Sequence, residues 1–185
     1  MKRLAVLLCL LFTLSGCSAG GKQMDRALAL RSKLLSGSVR FDARITADYG
    51  SELYTFSLKC EADASGDVSF TVSAPSSIAG IAGTVDSVGG KLTFDSTALA
   101  FGLLADGYLS PIAAPWTMLR ALRSGYISAC CVEAGALRIT VSDSYGDNAL
   151  LLDVWLNGQD LPKRADILWK GKRIVSMELA NFQIL

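Results

Sequence analysis

The chain contains no histidine and five cysteines, which removes both the Ser-His-Asp and the Cys-His arrangements of nucleophilic catalysis. Carboxylates that come close in sequence, Asp63 with Asp67 and Asp143 with Asp147, lie in polar stretches where an Asp side chain bonds the backbone just after it. They read as turn formers, not as an acid/base pair. Gly80, Gly83, Gly89 and Gly90 lack the strand-to-helix setting and the Lys-Ser/Thr of a phosphate loop. No CxxC spacing occurs, so neither a zinc site nor thioredoxin-like exchange is expected, and no cofactor or metal is implied. What chemistry remains belongs to a single thiol, Cys17, which closes the stretch Leu14-Ser15-Gly16-Cys17 directly after an apolar run.

That run extends from Leu4 to Leu14 behind the positive start Met1-Lys2-Arg3, the layout of a secretory signal and too short for a permanent membrane-spanning helix. The four residues ending at Cys17 resemble the lipobox of bacterial lipoproteins. The resemblance implies cleavage between Gly16 and Cys17, a diacylglyceryl group on the Cys17 sulfur, and acylation of the new amino terminus. The bland alternative is an ordinary signal peptide with an incidental cysteine. Two or three acyl chains, at ~0.8 kcal/mol per buried methylene, hold firmly where one binds only marginally. The expected organisation is a signal over residues 1–16, a lipidated tether over 17–22 and one domain over 23–185, lipid-anchored on the extracytoplasmic side of a cell membrane.

The 18 Lys and Arg against 17 Asp and Glu give a net charge of +1, and removal of Lys2 and Arg3 with the signal leaves 16 against 17, a near-neutral balance that does not attract nucleic acid. Past the signal and Cys17, the remaining cysteines are Cys60, Cys130 and Cys131. Adjacent residues on a strand point to opposite faces, so at most one of Cys130 and Cys131 meets Cys60. The simpler reading makes all three small, partly buried hydrophobes.

The elements that position these residues follow from hydrophobic period. Gln23 to Leu35 carries Leu28, Leu30, Leu34 and Leu35 at helical spacing, and Gly37 is placed to act as a left-handed cap. From Val39 to Tyr49 the period becomes two: Val39, Phe41, Ala43, Ile45 and Ala47 alternate with Arg40, Asp42, Arg44, Thr46 and Asp48. One face is therefore buried and the other wet. Tyr54, Phe56, Leu58 and Cys60, and then Val68, Phe70 and Val72, repeat the alternation after turns at Gly50-Ser51 and Ser65-Gly66-Asp67, giving a meander that ends at Pro75. A hairpin over Thr84 to Val88 and Lys91 to Phe94 flanks Gly89-Gly90, and Thr97 to Phe101 extends or follows it. Ser110-Pro111 reads as a helix cap with proline in the first helical position. The helix runs to about Arg123, with Ile112, Trp116, Leu119 and Leu122 on one face and Gly125 as terminator. Strands resume over Tyr126 to Val132, 137–142 and 150–156. Asn157-Gly158 signals a hairpin, Pro162 a strand start, and alternation returns in Ala165, Ile167 and Trp169 and again from Ile174 to Phe182.

The sum is an α+β chain of mainly antiparallel β structure: about ten one-sided strands, an N-terminal helix and a second helix. Strands this numerous curl until their apolar faces meet, which yields an unclosed curved barrel with helices over its concave face. In Phe41-Asp42-Ala43-Arg44-Ile45 with Tyr54-Thr55-Phe56-Ser57-Leu58, the Ala74-Pro75-Ser76-Ser77-Ile78-Ala79-Gly80-Ile81 junction, the Leu109-Ser110-Pro111 helix start and the closing Leu161-Pro162-Lys163-Arg164-Ala165 strand, the chain resembles the LolA/LolB-like superfamily of lipoprotein carriers and its Gram-positive relatives. The resemblance implies a concave apolar face that accepts a lipid or a lipoprotein's acyl chain. Phe41, Ile45, Tyr54, Phe56, Leu58, Phe70, Val72, Trp116 and Leu119 are the residues expected on it. The same family includes a clostridial germination lipoprotein that binds a cell-wall amidase, so an envelope protein partner and a non-catalytic scaffold role form the alternative. The soluble carrier of the family lacks an anchor cysteine, and its lid-locking arginine is carried over to no position here, Arg40 and Arg44 being expected to face outward.

If Cys17 carries the anchor, Cys17→Ala leaves a folded domain that moves from the membrane fraction and the detergent-rich phase into the aqueous one. Membrane retention of the substituted protein would assign the anchor elsewhere.

Overall fold

In the computed structural model, residues 18–85, 92–94 and 103–185 are described. Cys17, the Gly89-Gly90 turn and the expected strand over Thr97 to Phe101 lie outside them.

Helix α1 (Ser18–Ser36) leads into β1 (Val39–Asp48), β2 (Leu53–Ala62), β3 (Val68–Ala74), β4 (Ala82–Val85) and β5 (Leu92–Phe94). After a 3-10 turn at Pro111–Ala113 comes α2 (Ala114–Ser124), then β6 (Tyr126–Glu133), β7 (Ala136–Ser142), β8 (Leu151–Leu156), β9 (Pro162–Trp169) and β10 (Lys172–Ile184). All ten strands join one antiparallel sheet in the order β5-β4-β3-β2-β1-β10-β9-β8-β7-β6. Two meanders of hairpins are thus sewn together by pairing β1 with β10, and the sheet stays open between β5 and β6. This is the expected unclosed half-barrel.

Its curvature follows from burial. In β1 the buried positions are Val39, Phe41, Ala43, Ile45 and Ala47. Their neighbours are Leu58 and Phe56 on β2 and Met177 and Leu179 on β10. Side chains such as Ile45 and Leu58, both at 0% exposure, each contribute about 1.5–3 kcal/mol through removal from water. On the other face the rows are polar. The Asp166 carboxylate takes Ser176 Oγ at 2.8 Å and Arg164 Nη2 at 2.7 Å, and the Arg164 guanidinium lies 4.7 Å from the centre of the Trp155 ring. Arg40 and Arg44 do face outward, paired with Glu61 and Glu178. A bulge in the β1–β10 ladder sets Asn181 at φ 53°, where its amide donates to Asp42 at 2.7 Å. Bulges of this kind sharpen the twist that curls a sheet.

Several expectations need correction. Residues 18–22 are helical, so α1 begins at Ser18 and not at Gln23. Its buried stripe is Ala27, Leu30 and Leu34, whereas Leu28 and Leu35 are exposed: the apolar face is the one three and seven residues from Ala27. Gly37 is absent from the left-handed residues; a Cβ there would stand 2.8 Å from Ile184 Cγ2, so close approach explains the glycine. The chain after β8 turns through a loop from Asn157 to Leu161, with Asp160 at φ 60° taking the left-handed position and Asn157 Oδ1 accepting from Gln159 N and Leu161 N. The loop replaces the tight turn suggested by Asn157-Gly158. Ser110 makes no side-chain cap to the helix, which opens instead as the 3-10 turn. Gly125 is extended at φ −69°, ψ 165°.

Gly125 is the most closely packed of the described glycines. A Cβ there would lie 2.6 Å from Val141 Cγ1 and 2.7 Å from the carbonyl oxygens of Ala121 and Ser142, two of which are main chain and cannot step aside. Gly125→Ala is therefore expected to destabilise by about 1–3 kcal/mol, read as a lower midpoint in urea with unchanged slope. An unchanged midpoint would mean that α2 is free to shift.

Candidate functional site

Topology brings the expected residues together before any ligand is considered. Ile45 stands opposite Phe56, Ala43 opposite Leu58, Phe41 opposite Cys60, and on the next ladder Leu58 meets Val72 and Cys60 meets Phe70. Phe41, Ile45, Phe56, Leu58, Phe70 and Val72 thus form one apolar patch across three strands, each at most 3% exposed. Phe41 also stacks on Phe182 of β10, ring centres 5.0 Å apart.

Helix α2 crosses this concave side because the chain leaves one edge of the open sheet and re-enters at the other. Ala114, Met118, Leu119, Ala121 and Leu122 are buried, and so are Pro115 and Thr117. The helix is therefore enclosed on most sides, by the sheet and by α1, where a single amphipathic face was expected. Leu119 reaches the core, but Trp116 is only half-buried and carries the Arg120 guanidinium 4.7 Å from its ring centre. Tyr54 lies at the rim, 49% exposed. It meets Tyr49 edge-on at 5.5 Å and donates its hydroxyl to Glu52. It shares the inward face of Phe56, opposite Ala47, but near the tip of the β1–β2 hairpin its ring stays half in solvent. Residues from the second meander line the interior equally, among them Ile139, Leu152, Val154, Ile167 and Met177. Their alternation was legible, but nothing in it said that they share a space with β1 to β3.

The ties that hold α2 are polar and peripheral. Arg123 donates to the carbonyl oxygens of Leu34 at 2.9 Å and Asp63 at 2.8 Å, joining α2 to α1 and to the β2–β3 turn. From α1, Arg31 donates to Leu122 O and Gly125 O, both at 2.7 Å, so a guanidinium satisfies carbonyls at the end of α2 that the helix leaves unpaired. Burial lowers the pKa of both arginines from the ordinary value. Arg120 pairs with Asp143 at 3.1 Å. Ahead of the helix, Lys170 reaches Asp106 at 3.2 Å, and Tyr108 lies over Trp169 at 5.6 Å. Ala105 and Asp106 are both left-handed in that loop. No periodicity in the sequence pointed to Arg31.

The carboxylates behave as turn residues. Asp63 accepts from Ser65 Oγ at 2.6 Å, Gly66 N at 2.9 Å and Asp67 N at 3.1 Å, the hydroxyl most of all holding it below the usual range. Asp143 accepts from Leu150 N at 2.8 Å. Cys60, Cys130 and Cys131 are all free thiols. Cys60 sits in β2 and the other two in β6, on opposite halves of the sheet, which rules out the bridge that the sequence left open. Burial pushes the Cys60 thiol far up, and Cys130 less so. Among the described residues no group of three or more metal-ligating side chains gathers, and no helix is long and apolar enough to cross a membrane. A notch of about 660 Å³ opens at the end of α1, between Lys33, Gly37, Leu161 and Phe182.

No family model matches the chain, and a search of curated proteins finds no relative. Solved structures similar to it include a LolA superfamily protein from Nitrosomonas europaea, 9% identical over 86% of this chain and 93% of that one, with a TM-score of 0.40. Mycobacterium tuberculosis lipoprotein LppX is 15% identical over 87% of this chain and 93% of that one, TM-score 0.38. The Pseudomonas aeruginosa MucA/MucB complex is similar over 90% of this chain and 57% of the matched one, at 11% identity and a TM-score of 0.42. Scores and identities this low make them likenesses, and no functional conclusion rests on them.

Proposed function

We propose that this chain is a membrane-anchored lipoprotein whose half-barrel binds a lipid or a lipoprotein's acyl chain against its concave apolar face. The observation that carries the reading is an open sheet with a continuous apolar inner face covered by a crossing helix rather than by closure of the barrel. Acyl chains need apolar surface and no particular hydrogen bonds, and this face offers little else. With Phe56, Leu58 and Phe70 already buried in the core that they share with α2, entry of a chain requires α2 to lift, and the polar ties through Arg31, Arg120 and Arg123 are what must part. The half-barrel performs binding and carries no chemistry of its own, in keeping with carboxylates engaged in turns and with the lack of histidine.

The burial of Phe41, Ile45, Phe56, Leu58, Phe70 and Val72 favours a second reading, a non-catalytic scaffold that holds an envelope enzyme by its surface. Native mass spectrometry separates the two. Protein bearing Cys17→Ala, purified gently from the soluble fraction, is expected to retain about one lipid per chain. Phe70→Ala, which opens a cavity at a cost of about 3–5 kcal/mol, should change the retained acyl length or its occupancy. A chain that is lipid-free in every preparation would leave the scaffold reading.

A further inference from the structure

The sheet ends on one side in β6, an edge strand of eight residues, Tyr126–Glu133. Its turn into β7 has Ala134 at φ 48° and Gly135 at φ 77°, the pair of left-handed residues of a tight hairpin turn. Glu133 and Ala136 beside it then exchange both main-chain hydrogen bonds, and the pattern alternates along the ladder. With Cys131 opposite Arg138 and Val132 opposite Leu137, Cys131 and Glu133 direct their N–H and C=O groups at β7, while Cys130 and Val132 direct theirs to the edge that no described strand pairs with.

Proteins commonly blunt such an edge with lysine, proline or a short strand. Here there is none of these. The strand reads Tyr-Ile-Ser-Ala-Cys-Cys-Val-Glu, and its sole charge, Glu133, stands at one end, neutralised within its own chain by Arg138 at 3.1 Å. Helix α1 packs against β6, yet Ala129, Val132 and Glu133 remain exposed, Val132 at 56%.

We propose that β6 is a docking edge for a second copy of this chain, joined antiparallel, β6 to β6, about a two-fold axis. Antiparallel self-pairing sets the two Glu133 carboxylates at opposite ends of the new ladder, whereas a parallel arrangement would set them side by side. Head-to-tail pairing of β6 with the other edge of the sheet, β5, would propagate without closing. In the register where Cys130 exchanges hydrogen bonds with Val132 of the other copy, the axis passes between the two Cys131 residues. They form a close pair with Cα atoms about 4.5 Å apart, inside the range a disulfide spans. The two Cys130 residues are then about 8 Å apart, from two residues of rise and one strand spacing, and cannot be bridged.

The adjacent cysteines therefore report the register. Full-length protein in detergent, oxidised with copper–phenanthroline and run without reductant, is expected to give a dimer band that survives Cys130→Ser and disappears with Cys131→Ser. Light scattering after size exclusion should find a dimer, and Val132→Pro, which removes an edge-facing N–H, should return it to a monomer. Val132→Lys tests the same edge with little risk to folding, and circular dichroism checks that both variants keep their strands. A monomer at the highest soluble concentration, a dimer indifferent to both Val132 variants, or cross-linking through Cys130 in place of Cys131 would overturn the proposal.

Discussion

The β1–β10 ladder is the interaction on which the rest depends. Each meander is built from hairpins of neighbouring strands, but strands from the two ends of the chain must find each other for the ten to become one sheet. The pairing runs from Val39 opposite Ile184 to Ala47 opposite Val175, and its inner row of Phe41, Ala43, Ile45, Met177 and Leu179 is buried. Contacts so distant in sequence carry a loop-closure cost that local hairpins avoid, and burial of that row offsets it. The bulge at Asn181 lies in the same ladder, so the bend of the half-barrel is set where its two halves meet.

Once the halves are joined, the path of α2 is dictated. β5 and β6 are consecutive strands in the chain yet lie at opposite edges of the sheet, and the segment between them has to travel the width of the concave side. An apolar helix on that path fills the space that closure of the barrel would have removed. Gly125 is where it returns to the sheet, too close to Val141 and Ser142 for any side chain. The arginines from α1 and α2 then fasten the ends of the crossing to backbone carbonyls. Packing in the middle and polar ties at the margins make a cover that is well fitted but separate from the sheet's own hydrogen bonds.

Much of this was legible in the residue pattern. Period-two alternation in Val39 to Tyr49 and in the strands after it yields the number of strands, their wet and buried faces and the open-barrel class. Buried Phe41, Ile45, Phe56, Leu58, Phe70 and Val72 follow directly from it. Errors cluster where a third partner decides. Leu28 and Leu35 belong to a leucine-rich stretch whose core-facing angle is fixed by Ala27, Leu30 and Leu34 against β6 and α2, information that a single helix does not carry. Tyr54 keeps the inward parity of its strand but lies near the tip of the β1–β2 hairpin. Gly37 and Gly125 are needed for proximity to distant residues and not for their own φ, and a local reading treats every glycine as a turn. The arginine ties to carbonyl oxygens have no sequence signature, because the acceptors are backbone.

The central claim is that α2 is a removable cover over a sheet that stands without it. Native-state hydrogen exchange of the α2 amides, compared with those of β1 and β10 in low denaturant, tests this most directly, since sub-global opening and global unfolding differ in their denaturant dependence. The expected result is that the amides of Met118 to Leu122 exchange through an opening smaller than global unfolding, while those of Ala43 to Ala47 await unfolding of the whole domain. Exchange of α2 only with the core strands, at the same free energy and the same slope, would contradict it.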